Sequence, residues 1–259
     1  MEISNRLKRI ITAIIGITVI ILGLEYLPSI SFSSFIDFSI HPLVIAALII
    51  LLYEIFRQYY KNPNSRNSKY YIFCITYIIF FTHVVLIENI MDHWKIIFLF
   101  VLSQVFVVDS SGYFVGKLLG RSKIEFLSKI SPNKTTEGYI GSIIIGFLYG
   151  FISLYIIKST YFDNLGILTI FLITIGIVFS SIVGDLSVSK IKRILDIDDF
   201  SNLFYGHGGI LDRLDSILPS FTLFFWIFFS ISTILFFTLS CPKYILFLIN
   251  QTSISHSYP

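Results

Sequence analysis

The stretch LGILTIFLITIGIVFSSIVGDL, residues 165–186, contains one ionisable group, Asp185, near its end. A run of this length and apolarity crosses a bilayer as a helix, because lipid offers the backbone no hydrogen-bond partners and each N–H and C=O must pair within the segment. Six comparable runs occupy residues 10–27, 38–56, 70–87, 95–119, 139–157 and 217–239, while a last one at 244–249 is too short to span. The chain is 55% hydrophobic and only 14% charged, with mean hydropathy +0.81. That is more apolar side chain than a water-soluble core of 259 residues can bury. The expected fold class is therefore all-α, a polytopic integral membrane bundle of about seven to nine transmembrane helices.

The first run follows Arg6, Lys8 and Arg9 as a secretory leader would, but no small-residue cleavage site follows Leu24 and further spans come after it, so a retained first helix is expected. Cys74 and Cys241 have neither a paired nor a metal-ligand spacing, which argues against redox chemistry. If the N-terminus is cytoplasmic, seven spans place sixteen of the nineteen Lys and Arg residues on that side, leaving only Lys95, Lys158 and Lys243 elsewhere. This asymmetry predicts a cytoplasmic N-terminus.

Two long polar connections then fall on the cytoplasmic side, at 117–138 and 187–216, and they hold most of the chemistry. Residues 1–94 read as transmembrane scaffold helices and 95–259 as a catalytic membrane region. The segment NPNSRNS, 62–68, reads as a hydrophilic turn.

Asp109 stands within its span, roughly 20 Å from the start of the helix at 1.5 Å per residue, where a carboxylate needs a wet cavity or a cation. Gly112, Gly116 and Gly120 share a helix face and read as a packing stripe; Lys117 after Gly116 does not complete a nucleotide-binding G-x4-G-K-[ST] loop. SPNKTTEG, 131–138, offers Ser131, Lys134, Thr135 and Glu137 just before the next span. Lys190, Lys192 and Arg193 follow Asp185 by about two turns.

The stretch YGHGGILDRLDS, 205–216, places three glycines, His207, Arg213 and two aspartates together. Gly206, Gly208 and Gly209 permit backbone in which N–H groups converge on an anion, and Arg213 can grip phosphate with two parallel hydrogen bonds. Asp212 and Asp215, three apart, share a helical face and with Asp185 could hold Mg²⁺ beside phosphate oxygens.

The run SKIKRILDIDDFSNLFYGHGGILDRLDS, 189–216, closely resembles the signature of the phosphatidate cytidylyltransferase family, the CDP-diacylglycerol synthases. Ser189, Lys192, Arg193, Asp199, His207, Gly208, Gly209, Asp212, Arg213 and Asp215 match it at the same spacing. DSSGYFVGKLLGR, SPNKTTEG and GDL at 184–186 look like the family's remaining blocks, so the resemblance covers about residues 95–239. Three positions depart: Asp198 where lysine is usual, Tyr205 where proline or a small residue is usual, and Val188 where an acidic residue is common.

The resemblance implies transfer of CMP from CTP to phosphatidic acid, a step of phospholipid biosynthesis at the inner membrane. It implies Mg²⁺ on Asp185 and Asp212, with Asp215 a weaker third ligand and room for a second cation. Lys134, Lys192, Arg193 and Arg213 would hold phosphates, and His207, Gly208 and Gly209 would wrap them. Ser131, Thr135, Glu137, Ser189 and Asp199 would contact or support the nucleotide, and Asp109 would line the same cavity. The expected partners are CTP, phosphatidic acid, the bilayer and a second copy of the chain, with no nucleic acid. A CTP-dependent polyprenol or dolichol kinase is the alternative enzyme. A transporter fits less well, because the polar residues crowd one end of the spans.

Overall fold

The computed structural model describes residues 5–31, 38–162, 165–201, 203 and 208–231. Its helices are α1 (Asn5–Tyr26), α2 (Pro42–Lys61), α3 (Ser68–Ile90), α4 (Trp94–Leu119), the short α5 (Glu125–Ser128), α6 (Thr136–Tyr161), α7 (Ile167–Leu195), the single turn α8 (Leu211–Leu214) and α9 (Ile217–Ile231). Five of them, α2, α3, α4, α6 and α7, are long and apolar enough to cross a membrane, and Ile14–Tyr26 and Ile217–Ile231 add shorter apolar stretches. The protein is thus an all-α, polytopic membrane bundle. The fall of the seven helices on the seven apolar runs shows that run length decided the architecture.

The ends of the helices have local causes. Pro42 opens α2 behind His41, whose Nδ1 accepts from the Leu43 N–H; Asn67 and Thr135 cap α3 and α6 through their side-chain oxygens. α7 ends at Asp196 in the left-handed conformation (φ 54°), with the Ile197 N–H returning to the Lys192 carbonyl. Two-residue strands β1 (Ile30–Ser31) and β2 (Ser39–Ile40) pair antiparallel at one end of the bundle, where Glu88 of α3 accepts from Ser29 and from the His41 N–H.

α4 and α6 cross at small residues. A Cβ on Gly112 would stand 3.3 Å from Ser142 Cβ, and one on Gly138 would stand 2.7 Å from the Gly112 carbonyl oxygen. Without side chains there, backbones meet and dispersion replaces the hydrophobic drive that lipid does not supply. The core is apolar and aromatic, with Tyr70, Tyr77, Phe200 and Phe221 fully enclosed, while Ile, Phe and Leu side chains on the outer faces remain exposed for lipid.

One expected boundary moves. Residues 187–195, anticipated as the start of a polar loop, continue α7 as helix. Val188, Ile191 and Leu195 recur at three- and four-residue steps and are buried, so this end of α7 is amphipathic and packs on the bundle. Connection 117–138 likewise contains the end of α4 and the turn of α5.

Candidate functional site

The motif blocks meet at one end of the bundle. Gly184 lets α9 begin against α7, because a Cβ there would run into the Asp215 carbonyl and Pro219. Tyr77 of α3 donates to the same Asp215 carbonyl at 3.0 Å. The residue after Gly184, Asp185, pairs with Lys134, which arrives from the turn before α6.

Around that pair stands the first of two charged groups. Asp109 of α4 feels Lys134, Asp185 and Arg213, and Asp215 feels Asp185, Asp109 and Lys134. Burial pushes the Asp215 carboxyl well above the carboxylate range, and the negative charges of Asp185 and Asp109 push it further. Burial pulls Lys134 down, but the charge and hydrogen bond of Asp185, with the contributions of Asp109 and Tyr139, together outweigh it and leave the ammonium above the ordinary lysine range. Lys134 also lies over the Tyr139 ring, 5.7 Å from its centre. Asp109, Asp185 and Asp215 thus share the field of Lys134, and Arg213 acts on Asp109 as well. For Mg²⁺ the candidate carboxylates are Asp185, Asp212 and Asp215, with phosphate oxygens and water supplying the rest of its shell. Among the described residues no group of three or more His, Cys, Asp or Glu side chains is placed so that it could hold a metal ion.

Asp212 belongs to the second group. Its Oδ1 is 2.9 Å from Lys192 Nζ, and its Oδ2 accepts from the backbone N–H of Phe200 at 3.0 Å and of Gly209 at 2.8 Å. Asp199 lies 3.9 Å from the same lysine. Of the expected ligand pair, Asp185 pairs with Lys134, and Asp212 with Lys192 and main-chain donors. The glycines shape this loop more than they cradle an anion. Gly208 has φ 76°, and a Cβ on it would meet Asp199 and Asp212 oxygens at 2.9 Å, while the Gly209 N–H is committed to Asp212.

The other expected residues distribute around these groups. Thr135 caps α6, and Glu137 accepts from the Ser122 N–H and hydroxyl at 3.1 and 2.9 Å, fastening the end of the α4–α5 connection to α6. Ser131 lies in the turn that carries Lys134, its carbonyl accepting from the Lys134 N–H. Arg193 Nε donates to the Ile130 carbonyl at 3.5 Å, and Ser189 is half-buried on α7. His207, together with Tyr205, lies outside the described residues. Val188, one of the departures from the signature, is completely buried in the core, so its apolar character serves packing.

Sequence reasoning missed Glu54. This α2 carboxylate is fully buried and accepts from the Ile210 and Leu211 N–H groups at 2.8 and 2.9 Å. The signal was available as a lone acid inside an apolar run.

Fold and site define a polytopic helical membrane protein with paired acids and bases gathered at one end of its bundle. The chain belongs to the Cytidylyltransferase family, which matches it over residues 2–232. Among its curated relatives, the phosphatidate cytidylyltransferase of Bacillus subtilis (strain 168) is 34% identical over 210 residues, 78% of this chain and 73% of the relative. That of Aquifex aeolicus (strain VF5) is 31% identical over 188 residues, 72% of this chain and 66% of the relative. That of Haemophilus influenzae (strain ATCC 51907 / DSM 11121 / KW20 / Rd) is 34% identical over 137 residues, 53% of this chain. The matched segments span 47% and 66% of the lengths of the Haemophilus and Aquifex relatives.

Proposed function

We propose that the chain transfers CMP from CTP to phosphatidic acid, giving CDP-diacylglycerol and pyrophosphate, as the names of its relatives indicate for them. The observation that carries this reading is the convergence of Lys134, Asp185 and Asp215 with the Lys192–Asp212 loop at one end of an apolar bundle. In the reaction a phosphate oxygen of the lipid bonds to the α-phosphorus of CTP, and the bond from that phosphorus to the bridging oxygen breaks, the electron pair leaving with pyrophosphate. The attacking oxygen is ionised near neutrality, so no strong general base is required. The demand is for positioning and for neutralising two polyanions, which is what fixed cations supply.

Lys134 and Arg213 face the carboxylate group, and Lys192 and Arg193 line the adjoining end of α7; they hold the nucleotide and lipid phosphates in line. Asp185 and Asp212, with Asp215 as a weaker third, would hold Mg²⁺, which would supply positive charge to the phosphate oxygens and the leaving group. Asp212 and Asp199 keep Lys192 pointed into the site. The distribution of Lys and Arg supports a cytoplasmic N-terminus with the site on the same face of the inner membrane.

The test uses purified full-length protein, phosphatidic acid and CTP labelled at the α-phosphate, with Mg²⁺ omitted and restored. Label in lipid, only with metal present, is the expected result. Label remaining in soluble CDP would mean that the γ-phosphoryl moved and the protein is a lipid kinase. Transfer at an equal rate without divalent ions would overturn the metal assignment.

A further inference from the structure

Glu54, Gln58 and Asn62 follow one another at four-residue steps along α2 and its C-cap, so they share one face. Each is bonded to the segment between α7 and α8. Asn62 Nδ2 donates to the Leu195 carbonyl at 2.7 Å, Gln58 Nε2 donates to the Phe200 carbonyl at 2.6 Å, and Glu54 accepts from the Ser201 hydroxyl and from the N–H groups of Ile210 and Leu211. The described parts of that segment, 196–201, 203 and 208–210, are irregular backbone, whose polar groups need partners from elsewhere once buried. The α2 stripe provides them.

Glu54 is the centre of the stripe. It is completely buried, Ser201 beside it nearly so, and both carboxylate oxygens accept from backbone donors. Gly209 passes between Glu54 and Asp212: its N–H bonds Asp212 Oδ2 at 2.8 Å, and a Cβ on it would stand 2.6 Å from Glu54 Oε2. Fixing Ile210 and Leu211 thus fixes the Gly209 N–H, the Asp212 carboxylate one residue beyond Leu211, and the Lys192 ammonium that Asp212 holds.

From this geometry we infer that Glu54 is a positioning residue for CMP transfer, acting through the 208–212 backbone to set the Lys192–Asp212 pair. The inference rests on the proposed reaction for its kinetic readout but not for its structural one. Glutamine at 54 places an NH₂ group where one carboxylate oxygen now accepts, so either Ile210 or Leu211 is left with a buried donor facing a donor. The loop must shift, and a displacement of about 1 Å in a positioning element lowers turnover on the order of 10²-fold.

The experiment compares wild type, Glu54→Gln and Ser201→Ala as full-length protein in lipid nanodiscs. It measures kcat and KM for CTP and phosphatidic acid, thermal unfolding, and amide hydrogen exchange along the chain. Glu54→Gln is expected to lower kcat on the order of 10²-fold with both KM values little changed. Exchange should speed up at 208–214 and stay at wild-type rates in α4 and α6. Ser201→Ala, which removes the bond to Glu54 and the 3.3 Å bond from the Leu203 N–H but spares the two backbone donors to Glu54, should lower kcat by about tenfold. If Glu54→Gln does not fold, Ser201→Ala carries the same comparison. Wild-type kcat in the variant that folds, or exchange that rises evenly through α2, α3, α4 and α6, would overturn the inference. If wild type itself transfers no CMP, the proposed reaction fails, and the exchange pattern alone decides: a rise confined to 208–214 supports the clamp and an even rise overturns it.

Discussion

Lys192 Nζ sits 2.9 Å from Asp212 Oδ1 and ties the end of α7 to the glycine-rich loop. The Asp212 side chain is only 4% exposed and the lysine 18%, so removing the lysine leaves a carboxylate that water cannot reach well. Breaking such a pair from one side is destabilising by about 3 kcal/mol. Lys192→Met should lower the unfolding temperature in detergent and abolish the proposed CMP transfer, while Lys192→Arg keeps the charge and the fold. Wild-type unfolding and turnover in the Met variant would show that the pair carries neither.

Lys134 gives a pH-dependent expectation. Its ammonium is raised in the folded protein, Asp185, Asp109 and Tyr139 together outweighing burial, so the stability it contributes is fully present below the ordinary lysine value and lost as pH rises through the higher folded value. The side chain is 38% exposed, which screens the pair and sets a scale of about 1 kcal/mol. Wild type should unfold at a higher temperature than Lys134→Met at neutral pH, and the gap should close above the ordinary lysine range. A gap that is constant across alkaline pH would mean that the Lys134 charge is not its source.

The membrane fold could be read from the chain because each span is a long apolar run, although α7 continues well past its run, to Leu195. The amphipathic end of α7 was less legible: Ser187, Ser189, Lys190 and Lys192 lower the hydropathy there, while the spacing of Val188, Ile191 and Leu195 carries the helix. For the site, the sequence marked the residues but not their pairing. Asp185 and Asp212 look equivalent as aspartates among glycines and bases, and only tertiary structure gives one to Lys134 and the other to Lys192 and the Gly209 N–H. Glu54 escaped because its partners are backbone groups about 150 positions away, at Ile210 and Leu211.

The α4–α6 crossing makes a contrast between two glycines. A methyl group on Gly138 would meet backbone on α4, the Gly112 oxygen at 2.7 Å and Gly116 Cα at 3.3 Å, and neither can rotate away. On Gly16 of α1 a Cβ meets nothing within 4 Å. Gly138→Ala should therefore destabilise by about 1–3 kcal/mol and shift Lys134, four residues before it. Gly16→Ala should be neutral or stabilising by up to about 1 kcal/mol through helix propensity. Thermal unfolding of both variants in the same detergent checks the ordering, and equal midpoints would refute it.

Asp198 replaces the lysine usual in the family signature, and its position decides what that replacement does. The side chain is 99% exposed and its ion-pair partner is Arg193, 3.8 Å away and itself half exposed. An ion pair in that setting is screened by water and salt and contributes little to folding. The carboxylate does, however, place a negative charge beside a base that the proposed reaction assigns to phosphate. Asp198→Lys should leave the unfolding temperature unchanged while holding or lowering KM for CTP, because repulsion of the triphosphate is removed and a cation added. The effect should shrink as salt is raised, since an exposed charge acts over a distance comparable with the Debye length, about 8 Å at physiological ionic strength. Steady-state kinetics at low and high salt test both parts, and a large loss of turnover in the Lys variant would show that Asp198 has a role of its own that its exposed position does not reveal.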